Sequence, residues 1–180
     1  MKLAVLGTGK IVQEFLPMIQ QVSDVELVAL LSTPRSLDKA KEMQSHYQIQ
    51  EVYIDYETLL ANDMIDTVYV ALPNHLHYQY TKAALLQGKN VICEKPFTLN
   101  AQQLQELIQI ASEKQLILLE AITNQYLNNF LQIKKDLAKL GKIKIVECNY
   151  SQYSSRYDAF KEGKILPAFD PQKGGGALMD

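Results

Sequence analysis

Short apolar runs rich in β-branched residues alternate along this chain with longer segments whose apolar residues return every three to four positions. The runs are Leu3–Leu6, Val25–Leu31, Thr67–Ala71, Asn90–Cys93 and Leu116–Leu119, with a weaker one at Glu51–Ile54. Between them, Ile11, Phe15, Met18 and Ile19 share one helical face, as do Leu104, Leu107, Ile108 and Ala111. Leu37–His46 and His75–Gln87 also read as helices. Strands that are apolar on both sides must be covered on both faces, which points to a parallel sheet. Right-handed crossovers then make a doubly wound α/β sheet the predicted fold. Gly88 is placed to end one helix, and Thr98 or Asn100 to cap the next. Pro17 conflicts with the first helix, which it should kink or weaken.

The pattern changes after Glu120. Leu127, Phe130, Leu131 and Leu137 suggest another helix, stopped by Gly141. Lys142–Tyr150 alternates like a strand with one wetter face, and Ser151–Asp180 has weak periodicity. A domain boundary is therefore expected near Ala121. The roughly 60 residues beyond it are few for an independent core. With 47% hydrophobic and 21% charged residues, the chain is neither disordered nor fibrous. Its net charge of −2 gives no basic stripe for nucleic-acid phosphates. Cys93 and Cys148 are too few and too far apart for a disulfide framework or a zinc site. They read as buried free thiols in a reducing compartment, with no metal site. No run approaches the ~18 apolar residues of a membrane span. The apolar start Met1–Leu6 is broken at Gly7, short of a signal peptide. The expected location is the cytoplasm.

The first strand leads directly into Gly7-Thr8-Gly9-Lys10-Ile11-Val12. A strand, Gly-x-Gly and a helix form the setting in which a dinucleotide fingerprint has meaning. Gly7 allows the turn, and Gly9 lets the backbone approach a diphosphate. The helix start supplies free N–H groups and the positive end of its dipole. Val12 replaces the third glycine, which serves helix–strand packing rather than ligand contact. After the second strand, Ser32-Thr33-Pro34-Arg35-Ser36 stands where a carboxylate for NAD ribose is usual. Ser32, Thr33 and Arg35 suit a 2′-phosphate instead, so NADP is favoured over NAD.

Two later strand ends add to this site. Leu72-Pro73-Asn74-His75-Leu76-His77 follows the Thr67–Ala71 strand. Pro73 enforces a sharp exit, and Asn74 is the expected cap of the next helix. His77 falls in its first turn, either toward the cofactor or as a surface or capping group. His75 is expected in solvent and His46 on an outer helix. Glu94-Lys95-Pro96 follows the Asn90–Cys93 strand. A lysine there could stabilise an alkoxide or donate a proton, with Glu94 fixing its orientation. An ordinary loop pair of Glu and Lys is the other reading.

Together, Gly7-Thr8-Gly9, Pro73-Asn74-x-x-His77, Glu94-Lys95-Pro96 and Gly174-Gly175-Gly176-Ala177-Leu178-Met179-Asp180 resemble the Gfo/Idh/MocA family of NAD(P)-dependent oxidoreductases. The resemblance implies a Rossmann domain over residues 1–120. It makes residues 121–180 the incomplete start of an α+β domain for substrate binding and oligomerisation. It implies hydride transfer between NADP or NAD and a small sugar or cyclic polyol, in a parent that forms homo-oligomers. It assigns Lys95 and Asp180 to catalysis. With the readings of the individual motifs above, the expected cofactor site comprises Gly7, Thr8, Gly9, Lys10, Ile11, Ser32, Thr33, Arg35, Leu72, Pro73, Asn74, His77, Glu94 and Lys95. Val12, Leu72 and Gln125-Tyr126 depart from the family pattern. The chain is expected to be a truncated member, because it stops before most of the second domain and the family histidine. A dinucleotide-binding module without chemistry is the alternative. A methyltransferase would leave Glu94-Lys95-Pro96 without a role.

Overall fold

The computed structural model describes residues 1–149 and 151–176. Six parallel strands form one sheet: β1 (Lys2–Leu6), β2 (Glu26–Leu31), β3 (Glu51–Tyr53), β4 (Thr67–Val70), β5 (Asn90–Cys93) and β6 (Leu118–Glu120). Their order is β3-β2-β1-β4-β5-β6. Helices α1 (Lys10–Ile19), α2 (Leu37–Tyr47), α3 (Tyr56–Leu60), α4 (Asn74–Leu86) and α5 (Ala101–Glu113) connect them. This is the doubly wound sheet expected from the apolar runs. The alternation of β1 explains the two layers. Leu3 and Val5 face a core shared with Val12, Leu16, Ala40 and Met43. Ala4 and Leu6 face another, shared with Leu59, Ala84, Leu85 and Leu107. Leu3 to Leu6 are thereby all fully buried, so both faces of this central strand gain from removal of apolar surface from water.

The ends of the elements follow local chemistry. Asn100, rather than Thr98, caps α5 by accepting from the Gln103 N–H at 3.0 Å. Gly88 follows α4 with φ +76°, the left-handed geometry of a helix stop. Helix α1 continues past Pro17 to Ile19. Pro17 lies on its exposed side, where water can satisfy the freed carbonyl one turn back. Helix α3 was not anticipated, because five residues are too short to display a period. Its signal is Asp55, which caps it by accepting from the Thr58 N–H at 2.7 Å.

Beyond β6 the chain forms a short 3₁₀ turn at Thr123–Tyr126, α6 (Asn128–Asp136), further 3₁₀ turns and α7 (Tyr157–Lys161). The expected helix over this region is present and gives way to a 3₁₀ turn before Gly141. The expected strand at Lys142–Tyr150 is not: among the described residues, 142–149 belong to no strand, and Tyr150 lies outside them. A strand needs a neighbour for its backbone groups. Without one, Ile145 is 80% exposed despite its alternating pattern. Cys148 is likewise exposed, which corrects the expectation of two buried thiols, whereas Cys93 is fully buried. Among the described residues no helix is long and apolar enough to cross a membrane, and no three His, Cys, Asp or Glu side chains cluster as metal ligands do.

Candidate functional site

All six strands point the same way, so their carboxyl ends share one edge of the sheet. The strand order reverses between β1 and β4, and a crevice opens there. Gly7 closes β1 with φ +104°, and its N–H donates to the Leu31 carbonyl at 2.9 Å. A Cβ at Gly7 would lie 2.8 Å from the Ala71 carbonyl oxygen, so the fold itself requires glycine. Gly9 differs. It is the N-cap of α1 in an extended conformation, and a Cβ there would meet no protein atom within 4 Å. Among the described residues nothing demands glycine at this position, and the space beside the helix start is open. Helix α1 has no side-chain cap, leaving its first N–H groups available to an anion.

A cavity of about 340 Å³ extends from this turn toward β2. It is lined by Gly7, Thr8, Ser32, Thr33, Ser36, Leu72, Pro73, Tyr56 and Tyr80, among others. Ser36, not singled out from sequence, joins the hydroxyls into a cluster. Its Oγ lies 3.0 Å from Ser32 Oγ and 2.9 Å from Thr33 Oγ1. Arg35 belongs to the same 3₁₀ turn (Pro34–Ser36) but is exposed and does not line the cavity. Tyr56 donates to the Tyr80 carbonyl at 2.8 Å, and burial raises its phenol pKa. The two aromatic side chains form a wall that the sequence did not announce, since they come from α3 and α4.

On the other side of α1, Lys10, Ile11, Leu72, Asn74, Glu94 and Lys95 line a second cavity, with Arg156 from the tail. Lys95 also borders a third cavity, with Ile11, Glu94, Ala121, Ile122, Thr123 and Asn124. Lys95 is thus placed at the crevice wall, two strands across from Gly7. The Lys95–Pro96 peptide is cis. Glu94 accepts a hydrogen bond from the Tyr69 hydroxyl at 2.5 Å. Burial first, and Glu94 second, raise the Tyr69 pKa, so Tyr69 stays a donor through the neutral range.

Two expectations at the β4 exit are corrected. Pro73, not Asn74, is the N-cap of α4. Asn74 is thereby the first helical residue, and its Nδ2 donates to the Gly174 carbonyl at 2.9 Å, tying the tail to the crevice. Neither the surface or capping reading of His77 nor its assignment to the cofactor fits. Its side chain is fully buried, and its ring nitrogens lie 2.7 Å from the Pro96 and Leu72 carbonyl oxygens. His75 and His46 are exposed, as expected. Asp180 lies outside the described residues.

Strand order, crevice and glycine turn define a Rossmann-type nucleotide-binding domain. The model of an oxidoreductase family with an NAD-binding Rossmann fold, Gfo/Idh/MocA, matches residues 1–122, and the chain belongs to that family. It is 37% identical over 179 residues to scyllo-inositol 2-dehydrogenase (NADP(+)) IolU of Bacillus subtilis, covering 99% of this chain and 54% of the relative. It is 32% identical to D-xylose 1-dehydrogenase (NADP(+)) of Hypocrea jecorina, covering 100% of this chain and 50% of the relative. Among solved structures, KijD10, a 3-ketoreductase from Actinomadura kijaniata in complex with NADP and TDP-benzene, superposes with a TM-score of 0.72 at 31% identity. That match covers 77% of this chain and 42% of the other. The chain spans about half the length of the curated relatives it matches.

Proposed function

We propose that this chain is the dinucleotide-binding part of an NADP-dependent dehydrogenase acting on a CH–OH group of a sugar or cyclic polyol. The observation that carries this reading is the open space over Gly9, at the uncapped start of α1, with Lys95 on the same crevice wall. The N–H groups of α1 would hold the diphosphate. Ser32, Thr33 and Ser36 would donate to a 2′-phosphate, supported by the NADP named for the B. subtilis and H. jecorina relatives. Tyr56 and Tyr80 would flank the adenine. When bound, the nicotinamide supplies the hydride acceptor or donor.

The chain's own residues do the rest. The Lys95 ammonium would hydrogen-bond the carbinol oxygen and stabilise the negative charge that grows there as the carbon–hydrogen bond breaks. Lys10, Ile11 and Leu72, which line one cavity with Lys95, would hold the nicotinamide. Residues 121–180 would begin the substrate and oligomerisation domain, with Asp180 assisting proton transfer. The parent would be a cytoplasmic homo-oligomer.

Titration with NADPH and NADH, followed by nicotinamide fluorescence, tests the first step. Binding of NADPH in preference to NADH is expected, and failure to bind either would end this reading. In the longer parent, Lys95→Met with an intact fold and unchanged turnover would remove Lys95 from the chemistry. Cofactor binding without turnover on any polyol would favour a binding module.

A further inference from the structure

Three side chains from three different elements reach the turn that carries Lys95, and each fixes a different neighbour of that lysine. From β4, the Tyr69 hydroxyl donates to Glu94 at 2.5 Å. From α4, His77 Nδ1 lies 2.7 Å from the Pro96 carbonyl oxygen. From the end of β6, Glu120 Oε1 accepts the Phe97 N–H at 2.9 Å. The residue before Lys95 and the two after it are therefore all anchored from outside the turn. His77 does more than anchor. Its Nε2 lies 2.7 Å from the Leu72 carbonyl oxygen, so one ring touches both the β4–α4 turn and the Lys95 turn, donating to one carbonyl as a neutral tautomer and to both as the imidazolium. A side chain that merely filled space at this fully buried position would need no polar atoms. A buried histidine serving only its own helix would not find both partners on loops that line the crevice.

We propose that His77 and Glu120 are positioning residues for Lys95. His77 stitches the exit of β4 to the Lys95 turn, and Glu120 fixes that turn from β6. The lysine then projects from a rigid loop, although its own side chain is exposed. Holding the turn fixes the position and direction of the Lys95 Cα–Cβ bond, so the backbone's share of the ordering is complete before any substrate arrives. The sequence offered Glu120 no role and gave His77 a different one. The proposal deepens the dehydrogenase reading and rests on it for the purpose of the lysine, though not for the clamp itself.

The test uses the full chain with its lysines reductively methylated with ¹³C, observed by carbon–proton NMR. The Lys95 signal is assigned by its loss in Lys95→Arg. Wild type is expected to give one sharp Lys95 signal, and so is Glu120→Gln, which keeps an oxygen to accept the Phe97 N–H. Glu120→Leu and His77→Leu are expected to shift and broaden that signal while leaving the Lys89 and Lys82 signals in place. A merely structural role would move all of them together or none. An unchanged Lys95 signal in folded Glu120→Leu would overturn the proposal, and this holds even if His77→Leu does not fold. NADPH added to the same samples separates the two readings. Loss of the Lys95 response in Glu120→Leu, with NADPH affinity within about threefold of wild type because the Gly7–Lys10 grip is untouched, supports the clamp. A wild-type chain that ignores NADPH defeats the dinucleotide reading, and the free-protein signals still decide the clamp.

Discussion

The two regions of this chain are built from similar residues and end differently. In residues 1–120 apolar side chains meet partners on both faces of the sheet: Leu16, Leu30, Leu85 and Leu107 are fully buried. In residues 121–176 helix α6 carries Phe130 and Leu131 at helical spacing, yet both are 41% exposed. Among the described residues of that region only Gly174 and Gly175 are buried. Periodicity alone therefore gives a helix its form, but a packed neighbour gives it stability. What ties the tail down is small. Among the described residues Asn74 reaches Gly174, and a Cβ at Gly174 would lie 2.3 Å from Leu99 Cδ2.

The contrast predicts a graded set of mutational effects. Leu30→Ala should cost about 2–5 kcal/mol in urea unfolding, as large-to-small changes in packed cores do. Ile145→Ala should stay within about 0.5 kcal/mol, the range of surface changes. Equal losses at the two positions would erase the distinction between the regions. Within the first region the glycines separate in the same manner. Gly7→Ala should cost about 2 kcal/mol or more, because the left-handed conformation and the Ala71 carbonyl both oppose a side chain. Gly9→Ala should leave stability within about 0.5 kcal/mol while weakening NADPH binding at least tenfold, read by nicotinamide fluorescence. A Gly9→Ala protein that binds NADPH normally would refute the assignment of that open space to a ligand. Ser36→Ala, smaller in effect, should reduce the preference for NADPH over NADH by roughly tenfold, about one hydrogen bond to a charged group.

A further contrast concerns the thiols. Cys148 should react with an alkylating reagent in the folded protein at neutral pH, and Cys93 only on unfolding. Burial pushes the Cys93 thiol up to about 12 from its ordinary value of 9.0. The unfolded chain therefore loses this proton first as pH rises, so stability should decline between pH 9 and about 12. In Cys93→Ala that part of the decline should vanish, as monitored by urea unfolding across the pH range.

Most of the sheet was legible because its strands are continuous apolar runs, and β5 falls at Asn90–Cys93 as read. The site was legible in proportion to how local its chemistry is. Gly7, Gly9 and Lys95 announce themselves through turns and strand ends. Tyr56, Tyr80 and Arg156 do not, since tertiary packing alone brings them to the cavities, and Ser36 shows its role only once the 3₁₀ turn folds its hydroxyl back onto Ser32 and Thr33. His77 was misplaced because its partners, Leu72 and Pro96, lie on opposite sides of it in sequence. Asn74 was taken as a cap because its type favours that position, while Pro73 holds the required extended geometry. The alternation at Lys142–Tyr150 is real, but a ladder cannot be read from one rung rail alone.

The central place of β1 has a consequence for synthesis. Strand β1 is made before both of its partners and pairs with β2 on one side and β4 on the other, and the Lys2 N–H donates to Asp66 at 2.9 Å. Its second edge waits until residues near 67 have emerged, and contacts of such long separation form late. A nascent chain halted earlier would hold the complete Gly7–Lys10 loop with no opposite bank. On the proposed reading, ligand capture during translation would lag the appearance of its own signature by three strands.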